Sequence, residues 1–120
     1  MHGAQQFTAT AGVAIVDGNT SRVAVEAEGA SIGAAVVVDD GRFLQLTFQI
    51  AHGHLPVTAR RELVDAVFAL PELAARRLVR AAIPIGDAEL LTELRTRLTD
   101  VHTRAAGATC LIDATTGSGA

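Results

Sequence analysis

The chain has 120 residues, 49% of them hydrophobic and 19% charged, which suits one folded domain with a real core and excludes a disordered protein. The formal net charge is −3 and there is no Trp or Tyr, so the chain lacks the basic surface and the stacking rings that nucleic acid requires. Its one cysteine excludes an internal disulfide and a cysteine-rich zinc site.

Composition also bears on location and boundaries. All ten basic residues are arginine, a pattern typical of GC-rich genomes such as those of actinobacteria. No apolar run reaches the roughly 20 residues that span a bilayer, and MHGAQQFTATAG lacks the features of a signal peptide. We therefore predict a cytoplasmic protein without membrane contact. It should form a single α/β domain over residues 1–120, with flexible ends at 1–10 and 115–120.

The first half of the chain has the pattern of an antiparallel meander. Residues 11–17 and 22–28 flank the turn GNTS, and 31–39 is apolar on both faces, which indicates a central strand. Asp-Gly then turns the chain into 42–52, whose residues alternate cleanly. One row of this last segment is apolar and should face the core: Leu44, Leu46, Phe48 and Ile50.

The second half changes to a helical period. An apolar stripe predicts a helix over 58–70, ended by Pro71, and PELAA adds a helical turn. Residues 76–85 read as a strand, and Pro84 places the end of that strand at an edge or a terminus. A second helix over 87–98 begins at an Asp87 N-cap, and 107–113 is the last strand.

These elements predict the fold class. The order β-β-β-β-α-β-α-β gives a mixed sheet, with an N-terminal antiparallel meander followed by two helix crossovers. Because such crossovers join parallel strands, parallel pairing is expected within the sheet.

Two histidines form the candidate metal site. If the strand over 42–52 continues, His52 and His54 extend its core-facing row, where an H-x-H pair can bind a transition metal. A third ligand would have to be His102 or an acid brought near by the fold. The alternative is a strand-end pair hydrogen-bonded to the nearby backbone.

The start of the first helix is the candidate anion site. Arg60 and Arg61 lie in its first turn, where the helix dipole disfavours cations, and Thr58 is a plausible cap. Free backbone N–H groups and arginine together favour phosphate. The alternative is that Glu62 and Asp65 neutralise the two arginines in solvent.

Motifs for catalysis are missing from the sequence. Cys110 lies in an apolar strand pattern, where a thiol behaves as a small buried hydrophobe. No serine stands in a G-x-S-x-G elbow, and neither a Walker loop nor a dinucleotide fingerprint occurs. Asp39 and Asp40 are explained by the turn they begin. The sequence therefore predicts no catalytic residue and no cofactor.

The stretch from Ala24 to Leu98 resembles the central part of GNAT-type N-acetyltransferases. The matching segments are VEAEG, IGAAVVV, DDG, FLQLTFQIA, TARRELVDAVF, LVRAAIPI and DAELLTELRTRL. The family's first strand and its two substrate-covering helices have no counterpart in the short N-terminal segment. Its pyrophosphate-binding signature, R/Q-x-x-G-x-G/A, is also missing, since Gly53 stands alone. The resemblance implies an acyl-coenzyme A fold, and no catalytic residue is carried over.

Two functions follow from these observations. The first is a small non-catalytic binding domain that self-associates or binds a protein partner, since strand edges are available and catalytic motifs are missing. The alternative is a degenerate GNAT-like protein that binds acyl-coenzyme A or another phosphate ligand at the helix start after residue 57.

Overall fold

The computed structural model describes residues 9–27, 30–51 and 57–116 of the chain. They form one seven-stranded sheet in the order β1-β2-β3-β4-β5-β7-β6. The strands are β1 (Ala9–Asp17), β2 (Thr20–Ala27), β3 (Ala30–Asp39), β4 (Phe43–Ile50), β5 (Leu78–Pro84), β6 (Thr99–Ala106) and β7 (Thr109–Thr115). Two helices, α1 (Val57–Phe68) and α2 (Ala88–Arg95), and a 3₁₀ turn at Pro71–Leu73 complete the fold. The predicted mixed α/β fold is confirmed.

The first four strands are the predicted antiparallel meander. β3 lies between β2 and β4, as its two apolar faces indicated. Asp40 organises the turn before β4, because its carboxylate accepts the backbone N–H groups of Arg42 and Phe43 at 2.9 and 2.8 Å. Gly41 supplies the positive φ of 95° that this turn requires.

The second half joins the meander through one parallel pair. β5 runs parallel to β4, and β7 then pairs antiparallel with β5. The predicted parallel pairing is therefore present once, between β4 and β5. Both helices contribute to one apolar core that covers a single face of the sheet, here called the helix face.

The core follows the predicted alternation. Leu44, Leu46 and Phe48 are at most 3% exposed, and they meet the buried α1 residues Leu63 and Val67. From α2, Leu90 and Leu94 complete the core. The opposite face, here called the open face, carries polar side chains, and no helix of the described residues packs on it. No helix in the described part of the chain is long and apolar enough to cross a membrane.

One predicted boundary is wrong. The second helix ends at Arg95 rather than at residue 98, and the chain then forms β6, a strand that was not predicted. β5 ends at Pro84, at the strand terminus as predicted, and it is an inner strand, because β6 and β7 extend the sheet beyond it. Thr115 lies within β7, and the buried Thr116 donates its hydroxyl to the carbonyl of Ala75 at 2.7 Å.

Candidate functional site

The parallel strands β4 and β5 separate at their C-terminal ends. Their pairing runs from Phe43 beside Leu78 to Thr47 beside Ala82 and stops there. Beyond that point β4 continues to Ile50 against β3 alone, and β5 continues to Pro84 against β7 alone. The gap between Phe48–Ile50 and Ile83–Pro84 is called the wedge. Pro84 has no backbone N–H, so it cannot extend the parallel ladder across the wedge.

The starts of both helices lie at the same end of the sheet as the wedge. α2 begins at Ala88, four residues after β5 ends at Pro84, and α1 begins at Val57, seven residues after β4 ends. Ligands of open α/β sheets bind outside the carboxyl ends of the parallel strands. The start of a helix also favours anions, because its first backbone N–H groups have no partner within the helix.

Arg60 joins the two helix starts. Its Nε donates to both carboxylate oxygens of Asp87, at 2.8 and 3.1 Å, and Glu89 lies 3.2 Å from its Nη1. Asp87 is the α2 N-cap, as predicted, and accepts the backbone N–H of Leu90 at 3.0 Å. Arg60 is thus balanced by acids of α2 rather than by Glu62 or Asp65, and its side chain is only 18% exposed.

The other two residues of the predicted anion site are more accessible. The Arg61 side chain is 63% exposed and has a single 3.5 Å ion pair with Glu93. Thr58 is exposed in the first turn of α1. Thr58 and Arg61 lie near the start of α1 and are accessible to an anion from solvent. Arg60, in the same turn, is held instead by its ion pairs with Asp87 and Glu89.

The two histidines of the predicted metal site lie outside the described residues. His102, the proposed third ligand, is in β6, with its backbone paired with Asp113 on the open face. Within residues 9–27, 30–51 and 57–116, no group of three or more His, Cys, Asp or Glu side chains is arranged to hold a metal ion. The metal site remains a prediction for His52 and His54.

A shallow groove of about 330 Å³ crosses the open face below the wedge. Its floor includes Thr47 and Ala82, the last paired residues before the wedge. The guanidinium carbon of Arg80 lies 4.1 Å from the centroid of the Phe43 ring. Its Nε lies 3.5 Å from Oδ1 of Asp113. Other lining residues include Gln45, Arg104 and Leu111, which are mixed in character.

The opposite end of the β4–β5 pair is closed by an ion pair. Arg77, just before β5, donates to both carboxylate oxygens of Asp39 at the end of β3, at 2.7 and 3.0 Å. This bidentate contact and the N–H of Gly41 lower the pKa of Asp39 from 3.8 to about 2. The contact holds the N-terminal ends of β4 and β5 together, while their C-terminal ends diverge.

Sequence reasoning missed the wedge and the open-face groove. A signal for the wedge was present in Pro84, whose missing donor ends a ladder on one side. From the sequence alone, Arg80 fits either the solvated face of an edge strand or a positive strip with Arg76 and Arg77. Its contacts with Phe43 and Asp113 depend on strand order, which local patterns do not give.

Comparison with solved structures identifies the fold. A protein of Sphaerobacter thermophilus assigned to the acetyltransferases is 13% identical with a TM-score of 0.54, covering 84% of this chain and 67% of its own. Two chimeras of spermidine N-acetyltransferase SpeG from Vibrio cholerae and hSSAT, R149-K152 and K23-Y30, give TM-scores of 0.55 and 0.52. Each is 13% identical to this chain. The matches cover 84% of this chain, 67% of the R149-K152 chimera and 69% of the K23-Y30 chimera. No family model matches the sequence, and no curated protein matches it significantly.

These similarities confirm the resemblance to the GNAT fold and correct the leading functional prediction. The fold match covers 84% of the chain, more than the segment from Ala24 to Leu98 in which the resemblance was recognised. The predicted non-catalytic interaction domain is contradicted, because the solved structures that share this fold carry acetyltransferase names. The alternative, a GNAT-like protein that binds acyl-coenzyme A, agrees with the fold.

Proposed function

We propose that the protein is a GNAT-like acyltransferase that binds acyl-coenzyme A at the wedge and transfers the acyl group to an amine. The observation that carries this proposal is the end of the β4–β5 pairing at Thr47 and Ala82, within an acetyltransferase-like sheet. Acyl-coenzyme A supplies an acyl group activated as a thioester. The predicted cytoplasmic location belongs to the same proposal, since acyl-coenzyme A is an intracellular metabolite.

The wedge fits the extended, amide-bearing arm of coenzyme A. Beyond Thr47, β4 has a strand partner on one side only among the described residues, so its other edge can form backbone hydrogen bonds with an added extended chain. Pro84 leaves the facing strand without a donor, which keeps β5 from closing against that edge. The space for this arm is therefore provided by the ends of β4 and β5 beyond Thr47 and Ala82, where the two strands no longer pair.

The phosphates of coenzyme A are expected at the start of α1. This chain lacks the glycine-rich signature of the family, so side chains must supply more of the contact. Arg61 is exposed and weakly paired, and Thr58 offers a hydroxyl one turn earlier. Arg60 binds no phosphate in this proposal, because Asp87 and Glu89 already engage it.

The charges near the wedge favour an acceptor amine that also carries a negative group. Two arginines, Arg80 and Arg104, line the open-face groove, with Asp113 as its one carboxylate. A polyamine such as spermidine, the substrate in the names of two structural neighbours, would meet these arginines unfavourably. We therefore expect amines bearing a carboxylate or phosphate to be acylated in preference to polyamines.

Calorimetric titration with coenzyme A tests the binding step. Saturable binding is expected in the wild type, with a loss of about tenfold, or about 1.4 kcal/mol, in Arg61→Ala. The matched control is Arg95→Ala, an exposed arginine in the last turn of α2, which should bind as the wild type does. No binding heat with the wild type at any temperature would disprove the proposal.

Product analysis by mass spectrometry tests the transfer step. Acetyl-coenzyme A is incubated with an amino acid, an amino-sugar phosphate and spermidine in parallel. Acetylated product with an anionic acceptor is the expected result. Coenzyme A binding without any acetylated product would restrict the protein to a binding role and refute the transferase.

A further inference from the structure

The two edges of the sheet are built differently. β6, at one edge, carries Asp100, His102 and Arg104, and its pairing with β7 is irregular between Thr99 and His102. Charged residues and irregular pairing are the means by which proteins keep an edge strand from pairing with another chain. The β6 edge is therefore protected.

The β1 edge lacks the charges that protect the β6 edge, and its pairing with β2 is irregular only at its end, between Ile15 and Asp17. The sequence from Ala9 to Val16 contains no charged residue and no proline. Val13, Ile15 and Val16 are 53, 78 and 62% exposed, and they are three of the five large hydrophobic residues exposed in the described part of the chain. β1 has β2 as its strand partner and, among the described residues, no strand on its outer side. An apolar, uncharged edge of this length favours the addition of another strand.

The exposed residues continue the core row of the helix face. Val13 pairs with Val23 and Ile15 with Ser21, and both β2 partners are buried. Paired residues of an antiparallel ladder point to the same face, so Val13 and Ile15 point to the helix face. Ala11, in the same row, is already half-buried against the core. Burial in this row therefore decreases along β1 from Ala11 to Ile15.

We propose that β1 pairs antiparallel with β1 of a second copy of this chain, about a two-fold axis at Val13. This register places Ile15 of each copy beside Ala11 of the other, a large side chain next to a small one on the helix face. The two sheets become one continuous sheet, and the exposed apolar row is buried at its centre.

The pattern of β1 selects a second copy as the partner. A strand that is uncharged over eight residues and matches large with small about its own midpoint is complementary to itself. A two-fold contact of this kind uses the β1 edges of both copies, so the assembly stops at a dimer. The remaining outer edges are the protected β6 strands, which prevent further growth.

Light scattering after size-exclusion chromatography measures the assembly directly. The wild type is expected at twice its chain mass of 12.4 kDa, and Ile15→Lys at the mass of one chain. The matched control is Leu78→Lys, which places the same charge at a residue 54% exposed in β5 and should remain dimeric. A monomeric wild type, a dimeric Ile15→Lys or a species larger than a dimer would each overturn the proposal.

Cysteine cross-linking tests the register and does not depend on a disruptive variant. In a Cys110→Ser background, Val13→Cys should form an intermolecular disulfide on mild oxidation, because paired Cα atoms of an antiparallel ladder lie about 5 Å apart. Ile15→Cys should not cross-link, because its counterpart in the other copy lies four residues along the ladder, about 13 Å away. Equal cross-linking at both positions, or at neither, would contradict the pairing.

Discussion

The contact between the two helix starts should be one of the most stabilising polar contacts of the described residues. Asp87 is 8% exposed and serves two functions, as the N-cap of α2 and as the partner of Arg60. Asp87→Ala loses a cap worth about 1 kcal/mol and charge-assisted hydrogen bonds worth about 2 kcal/mol. The remaining partner of Arg60 is Glu89, 66% exposed, which compensates by well under 1 kcal/mol.

The expected loss is therefore about 3 kcal/mol in the free energy of unfolding, or a decrease of about 12 °C in Tm for a domain of this size. Urea denaturation followed by circular dichroism at neutral pH measures the first quantity, and a thermal scan measures the second. Asp87→Asn should retain the cap and lose the charge, and so fall between wild type and Asp87→Ala. Glu89→Ala is the matched control and should cost about 0.5 kcal/mol or less. A loss below 1 kcal/mol in Asp87→Ala would refute the assigned magnitude.

Three other substitutions test the fold. Because the contact with Arg77 lowers the pKa of Asp39 from 3.8 to about 2, its stabilisation is present above the ordinary pKa and is lost as the pH falls toward 2. The Tm difference between wild type and Asp39→Asn should be constant near neutral pH and shrink over that acid interval; a constant difference would contradict the ion pair. Leu94→Ala, at 0% exposure, should cost about 2–5 kcal/mol in denaturant titration, against about 0.5 kcal/mol or less for Leu78→Ala at 54% exposure. Gly41→Ala, at φ 95°, should lower the unfolding free energy by about 1–2 kcal/mol, and an unchanged midpoint would show that the turn relaxes.

Local patterns predicted the parts of the fold in which neighbouring residues carry the information. The alternation of Leu44, Leu46 and Phe48 identified a half-buried strand, and each is buried as expected. Asp87 was recognised as a cap because capping involves only residues within one turn. The meander followed because consecutive antiparallel strands are joined by short turns.

The missed features depend on contacts between distant segments. β6 has a largely exposed, polar sequence without alternation, because an edge strand beside β7 needs no buried row. Leu98 fits the helical period of α2, although it lies beyond the end of the helix. A buried residue just after a helix can lie in line with the same apolar stripe, so the pattern alone does not mark the helix end. The partners of Arg60 and Arg61 lie on α2, and helix packing brought these acids close in place of Glu62 and Asp65.

The short β4–β5 ladder also makes the sheet an assembly of two antiparallel halves, β1–β4 and β5–β7, with one seam between them. The Asp39–Arg77 pair fastens the seam at one end, and the wedge lies at the other. A small rotation of the halves about the fastened end changes the wedge most, because displacement grows with distance from a pivot. Loosening the Asp39–Arg77 pair, for example in Asp39→Asn, should therefore alter the width of the wedge.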